Sequence, residues 1–89
     1  MKQIRLTGRE RAVLRGLDNA SGSTGEELLE FSRLAPDDLL AVLNSMLSPG
    51  YMEMVPYAEE ATLENFRAAR FDINPSYSAE IRAAMARRY

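Results

Sequence analysis

The sequence predicts a small, mostly helical α+β domain made of three helices, a two-stranded β-hairpin and an added C-terminal helix. Three observations predict this order. Two threonine-led capping boxes, Thr7-Gly8-Arg9-Glu10 and Thr24-Gly25-Glu26-Glu27, start the first two helices, since hydroxyl and carboxylate each satisfy a backbone amide of the other residue. Pro36 followed by Asp37 and Asp38 starts a third: proline lacks an amide that the first turn leaves unbonded, and carboxylates suit the positive end of the helix dipole. Apolar and polar residues then alternate over Tyr51 to Tyr57 and again over Arg70 to Asn74, which is the period of strands.

Taken in order, Ile4 to Leu6 is an extended lead-in. In the first helix Val13, Leu14, Leu17 and Ala20 recur at helical spacing, turning Arg9, Arg11, Arg15 and Asp18 outward. Ser21 to Gly25 reads as a turn, and the second helix has Leu28, Leu29 and Phe31 as its apolar residues. The chain turns again around Ser32 to Ala35. At about 100° per residue, Leu39, Val42, Leu43, Met46 and Leu47 gather on one side of the third helix, with Leu40 at its margin. The opposite arc is Asp37, Ala41, Asn44 and Ser48, flanked by Asp38 and Ser45. Ser48-Pro49-Gly50 ends the helix.

In the hairpin, Met52, Met54 and Pro56 face one side, with Tyr51, Glu53, Val55 and Tyr57 on the other; Phe71 and Ile73 alternate with Arg70, Asp72 and Asn74. Residues 58–69 admit two readings: a long hairpin tip, which is favoured, or a short helix, since Leu63 and Phe66 are three apart in an alanine-rich stretch. Asn74-Pro75 caps and opens the last helix, where Tyr77, Ile81, Met85 and Tyr89 form one stripe and Arg87 and Arg88 suit the final turn. That stripe packs either into the domain's own core or across the twofold axis of a homodimer.

This order of elements resembles the winged helix-turn-helix superfamily, in the form common among bacterial regulators. Thr24 to Phe31 corresponds to the scaffold helix, Pro36 to Ser48 to the recognition helix and Tyr51 to Asn74 to the wing. Residues 1–89 then read as a single domain, with the three-helix part at 7–48, the wing at 51–74 and the extra helix at 75–89. The resemblance implies DNA binding, with the third helix in the major groove and the wing on the adjacent backbone.

The charges point elsewhere. Residues 1–20 carry Lys2, Arg5, Arg9, Arg11 and Arg15 against Glu10 and Asp18, a net +3; residues 65–89 also carry +3. Residues 21–64 set Arg33 alone against nine carboxylates, a net −8, and no lysine or arginine occurs between Leu34 and Phe66. Phosphate neutralisation supplies non-specific DNA affinity, and arginine or lysine most often reads guanine. The recognition-helix face of Asp37, Asp38, Ala41, Asn44, Ser45 and Ser48 offers neither, leaving Arg67 and Arg70 of the wing as the cations near it. Arginines of the first and last helices offer a separate basic face. A non-enzymatic regulatory module with a protein partner is therefore expected ahead of one binding double-stranded DNA as a dimer.

Other classes are disfavoured. The 89 residues contain no cysteine and no histidine, which removes disulfides, thiolate or imidazole metal sites and the commonest catalytic bases. Ser21 to Gly25 lacks the lysine of a phosphate-binding loop. Asp37-Asp38 and Glu59-Glu60 are adjacent in sequence and diverge in space, so neither pair makes a catalytic dyad. No catalytic residue, metal or small-molecule cofactor is expected. With 46% hydrophobic and 27% charged residues, no apolar run of membrane-spanning length and no signal-peptide pattern, the expected location is the cytoplasm.

Overall fold

The computed structural model describes residues 4–17 and 22–86. Helix α1 spans Gly8–Arg15, and its capping box is closed: Thr7 Oγ1 accepts from the Glu10 amide at 3.1 Å while Glu10 Oε1 accepts from the Thr7 amide at 2.8 Å. It stops earlier than its apolar spacing predicts. The Gly16 and Leu17 amides bond three residues back, to Val13 and Leu14, which tightens and ends the helix. Leu17 is still buried; Asp18 and Ala20 lie outside the described residues. Arg11, expected outward, is half-buried and donates from Nη2 to the Ala84 carbonyl, tying the first helix to the last.

Helix α2, Gly25–Ser32, begins with the second capping box and buries Leu28 completely, whereas Phe31 stays largely exposed and lies against Gly16. Arg33 ends it in a left-handed conformation at φ 60°, donating its amide to Leu29 O. Helix α3, Pro36–Leu47, follows within three residues. Its stripe of Leu39, Val42, Leu43 and Met46 is buried, Leu40 packs at the margin as the wheel predicts, and Leu47, expected in the stripe, is half-buried beside it.

The hairpin strands are β2, Met52–Val55, and β3, Arg70–Ile73, with Met54 opposite Phe71 and Met52 opposite Ile73. Their alternation holds, since Met52, Met54 and Phe71 are buried while Glu53, Val55 and Asp72 are exposed. The sheet has a third strand where the sequence predicts a turn. Ser23–Thr24, β1, pairs antiparallel with β3, giving the order β1-β3-β2. Two residues carry no readable period; what selects them is the outer edge of β3, whose backbone groups need partners.

Residues 58–69 are neither the extended hairpin tip expected nor a helix. They form a chain of turns that folds back and plugs the core with Ala61, Phe66 and Ala69. The turn is self-supporting: Thr62 and Asn65 exchange amide-to-side-chain bonds at 2.8 and 3.3 Å, and the Phe66 amide donates to Thr62 O. Burying a phenylalanine outweighs extending the strands into water.

Asn74 Oδ1 accepts from the Ser76 amide and caps a single 3₁₀ turn, Pro75–Tyr77, before α4, Ser78–Ala86. Ile81 and Ala84 are buried in the common core, Tyr77 and Met85 are half-buried, and Tyr77 meets Tyr51 edge-on with ring centres 5.2 Å apart. Arg87, Arg88 and Tyr89 lie outside the described residues.

Candidate macromolecule-binding face

The outer face of α3 is polar and already partly occupied. Asp37, Ala41, Ser45 and Ser48 are exposed, and Asp38 is half-exposed. Asp38 faces Arg9 of α1 across 3.6 Å, an exposed ion pair worth no more than about 1 kcal/mol. Ser45 Oγ lies 2.5 Å from Glu10 Oε2 and 2.7 Å from Val42 O, so its one proton serves either carboxylate or carbonyl. The N-terminal end of α1 thus lies beside this face and brings one cation and one carboxylate to it.

Asn44 is the residue whose placement changes most. The helical wheel puts it on the open arc, where an asparagine suits adenine. In the structure its amide group is consumed: Nδ2 donates to Ala61 O at 3.0 Å and Oδ1 accepts from the Ala61 amide at 2.8 Å. It works as a clamp holding the 58–69 turns against α3. Asn44→Ala is expected to cost about 1–3 kcal/mol by leaving both Ala61 backbone groups unbonded, measured by urea denaturation. An unchanged midpoint would show that the clamp carries no stability.

The two cations assigned to the wing turn their side chains toward α2 and β1, although Arg70 itself pairs with Val55 of β2. Arg67 Nη1 pairs with Glu26 Oε2 of α2 at 2.7 Å, and its guanidinium sits 5.3 Å from the Phe66 ring centre. Arg70 Nη1 reaches toward Gly22 O, at 3.4 Å, beside β1. Neither lines the space between α3 and β2.

That space is a groove of about 750 Å³. Its α3 wall includes Asn44, Leu47 and Ser48, its floor Met52 and Met54, and its other wall Tyr57 to Glu60. Glu53, Glu59 and Glu60 line it, and among the described residues no cation does. No apolar or charge pattern read along the chain isolates this groove, because Asn44, Leu47 and Ser48, the strand Met52–Val55 and residues 57–60 come together only in the fold. Among the four candidate self-association residues, Ile81 is spent on the core, Tyr77 and Met85 keep partial exposure, and Tyr89 is not described. Among the described residues no group of three or more carboxylates is close enough to hold a metal ion, and no helix is long and apolar enough to cross a membrane.

The architecture is similar to the crystal structure of a MarR family transcription regulator, with a TM-score of 0.65 and 25% identity over 91% of this chain and 50% of that one. The fold is a winged helix-turn-helix. This chain spans half the length of that regulator. No protein-family profile matches the sequence, and no curated protein matches it. Within the winged helix, α2 and α3 are the helix-turn-helix pair and β2 with β3 the wing, while β1 completes the sheet.

Proposed function

We propose that this winged helix is a non-enzymatic regulatory module that binds a protein partner through α3 and the adjoining β2 groove. The observation that carries the reading is the charge of the docking face. Between Leu34 and Phe66 there are six carboxylates and no cation, and the nearest wing arginine, Arg67, is engaged by Glu26. A duplex presents a phosphate charge about every 1.7 Å of its axis, and Arg9, the cation that α1 brings beside this face, is already paired with Asp38. The same carboxylates attract a basic protein surface and speed its encounter.

A second reading, supported by the likeness to a transcription regulator, docks α3 and the wing on double-stranded DNA, with α4 contributing to a dimer through Tyr77 and Met85. Fluorescence anisotropy with random-sequence duplex at low salt separates the two. The wild-type domain is expected to bind no tighter than the weak non-specific range, about 10⁻⁴–10⁻⁶ M. Asp37→Lys with Asp38→Lys is expected to raise the affinity and to steepen the salt slope by about 2 if α3 approaches the duplex. Sub-micromolar wild-type binding that Arg67→Glu with Arg70→Glu abolishes would overturn the protein-partner reading.

A further inference from the structure

The wing strand β2 is the edge of its sheet, and the register shows where its backbone groups point. Asn74 N donates to Tyr51 O at 2.9 Å, so Tyr51 and Asn74 form a hydrogen-bonded antiparallel pair, and parity makes Glu53–Asp72 and Val55–Arg70 the next such pairs. The other side of β3 agrees. Gly25 N donates to Ala69 O at 3.0 Å, which makes Ser23–Phe71 a bonded pair and turns the Phe71 backbone toward β1, away from Met54. The N–H and C=O groups of Met52 and Met54 therefore point away from β3, toward the groove.

Among the described residues no hydrogen bond reaches these groups from outside the β2–β3 ladder, and both residues line the groove. Met52 and Met54 are 3% and 6% exposed because their side chains enter the core. Unpaired edge groups bordering a groove are the template with which an added strand pairs in register. The edge ends at Pro56 and is lined by the carboxylates of Glu53, Glu59 and Glu60, charges that discourage pairing with a like edge and admit a cationic strand.

We infer that the free edge of β2 receives an extended, cationic segment of the protein partner as an added β-strand. The inference rests on the protein-partner reading and names the chemistry of that partner. Glu53, Glu59 and Glu60 select lysine or arginine at alternate positions of the incoming strand. Val55 and Tyr57, 66% and 84% exposed at the mouth, cover the aliphatic stems. The wall opposite β2 is pre-set by the Asn44–Ala61 clamp, so little ordering is needed on docking. A second copy fits poorly, because pairing two such edges brings Glu53 and its acidic neighbours together.

The test uses the full chain, isotope-labelled, titrated with a short end-blocked peptide alternating lysine with valine and followed by NMR. Expected are shift changes and slowed hydrogen exchange at the Met52 and Met54 amides. The same peptide N-methylated at alternate amides along its pairing edge is expected to bind about tenfold or more weaker, as is a glutamate-for-lysine version. Glu59→Lys with Glu60→Lys is expected to weaken the lysine peptide by a similar factor. Equal binding of the N-methylated peptide, no binding by about 1 mM, or concentration-dependent shifts at Met52 and Met54 without peptide each overturn strand addition. Peptide shifts confined to α3 overturn it too while leaving the protein-partner reading intact, whereas displacement of the peptide by duplex DNA removes that reading itself.

Discussion

Phe66→Ala is expected to lower the stability of the domain by about 3–5 kcal/mol, the range for emptying a fully buried aromatic site. Phe66 is 0% exposed and comes from a segment without regular secondary structure. Its ring lies against the start of α2, and its backbone anchors the turns that carry Glu59 and Glu60 over the groove. The neighbouring chain cannot collapse freely into the space: Gly25 N is bonded to Ala69 O at 3.0 Å and Glu26 N to Arg67 O at 3.1 Å, which pins the turn on both sides. Against a total of about 5–15 kcal/mol for a domain, such a loss leaves a marginal fold. Thermal melting followed by circular dichroism measures it, with a fall of about 4–8 °C per kcal/mol for a chain of this size. A loss below about 1 kcal/mol would mean that the 58–69 turns are not docked in solution.

Gly25→Ala is expected to destabilise by about 3 kcal/mol, the upper end for forcing extra volume into a packed site. Helix propensity argues the other way, since alanine is favoured over glycine by about 1 kcal/mol inside a helix. The decision belongs to the contact. A Cβ on Gly25 would overlap the Phe66 carbonyl, which is backbone and is held in place by the two bonds just named. Gly8→Ala is the control: it also occupies the first position of a capped helix, yet nothing lies within 4 Å of its added carbon. It is expected to be neutral or slightly stabilising. Equal urea midpoints for the two variants would remove the proposed clash.

Both capped helix starts, the α3 stripe and the alternation of β2 and β3 were legible because each is written in neighbours along the chain. The acidity of the α3 face was equally legible, as charge needs no fold to be counted. What could not be read was the fate of particular polar groups. Asn44 has the position of a base-reading residue and the role of a clamp, because Ala61, seventeen residues later, returns to it. Arg67 and Arg70 belong to the wing by sequence, yet their side chains reach Glu26 and Gly22 beside β1.

The sequence by itself determined the helix starts, the core stripe of α3, the strand periods and the acidic character of the face that a winged helix presents. These depend on local hydrogen bonding and on the spacing of apolar residues, which are short-range. Only the tertiary structure decided that Ser23–Thr24 joins the sheet, that residues 58–69 plug the core rather than project, and that the Met52 and Met54 backbone groups face an acidic groove. Each of those outcomes depends on backbone groups and buried volumes brought together from distant parts of the chain, and such pairings leave no period in the sequence.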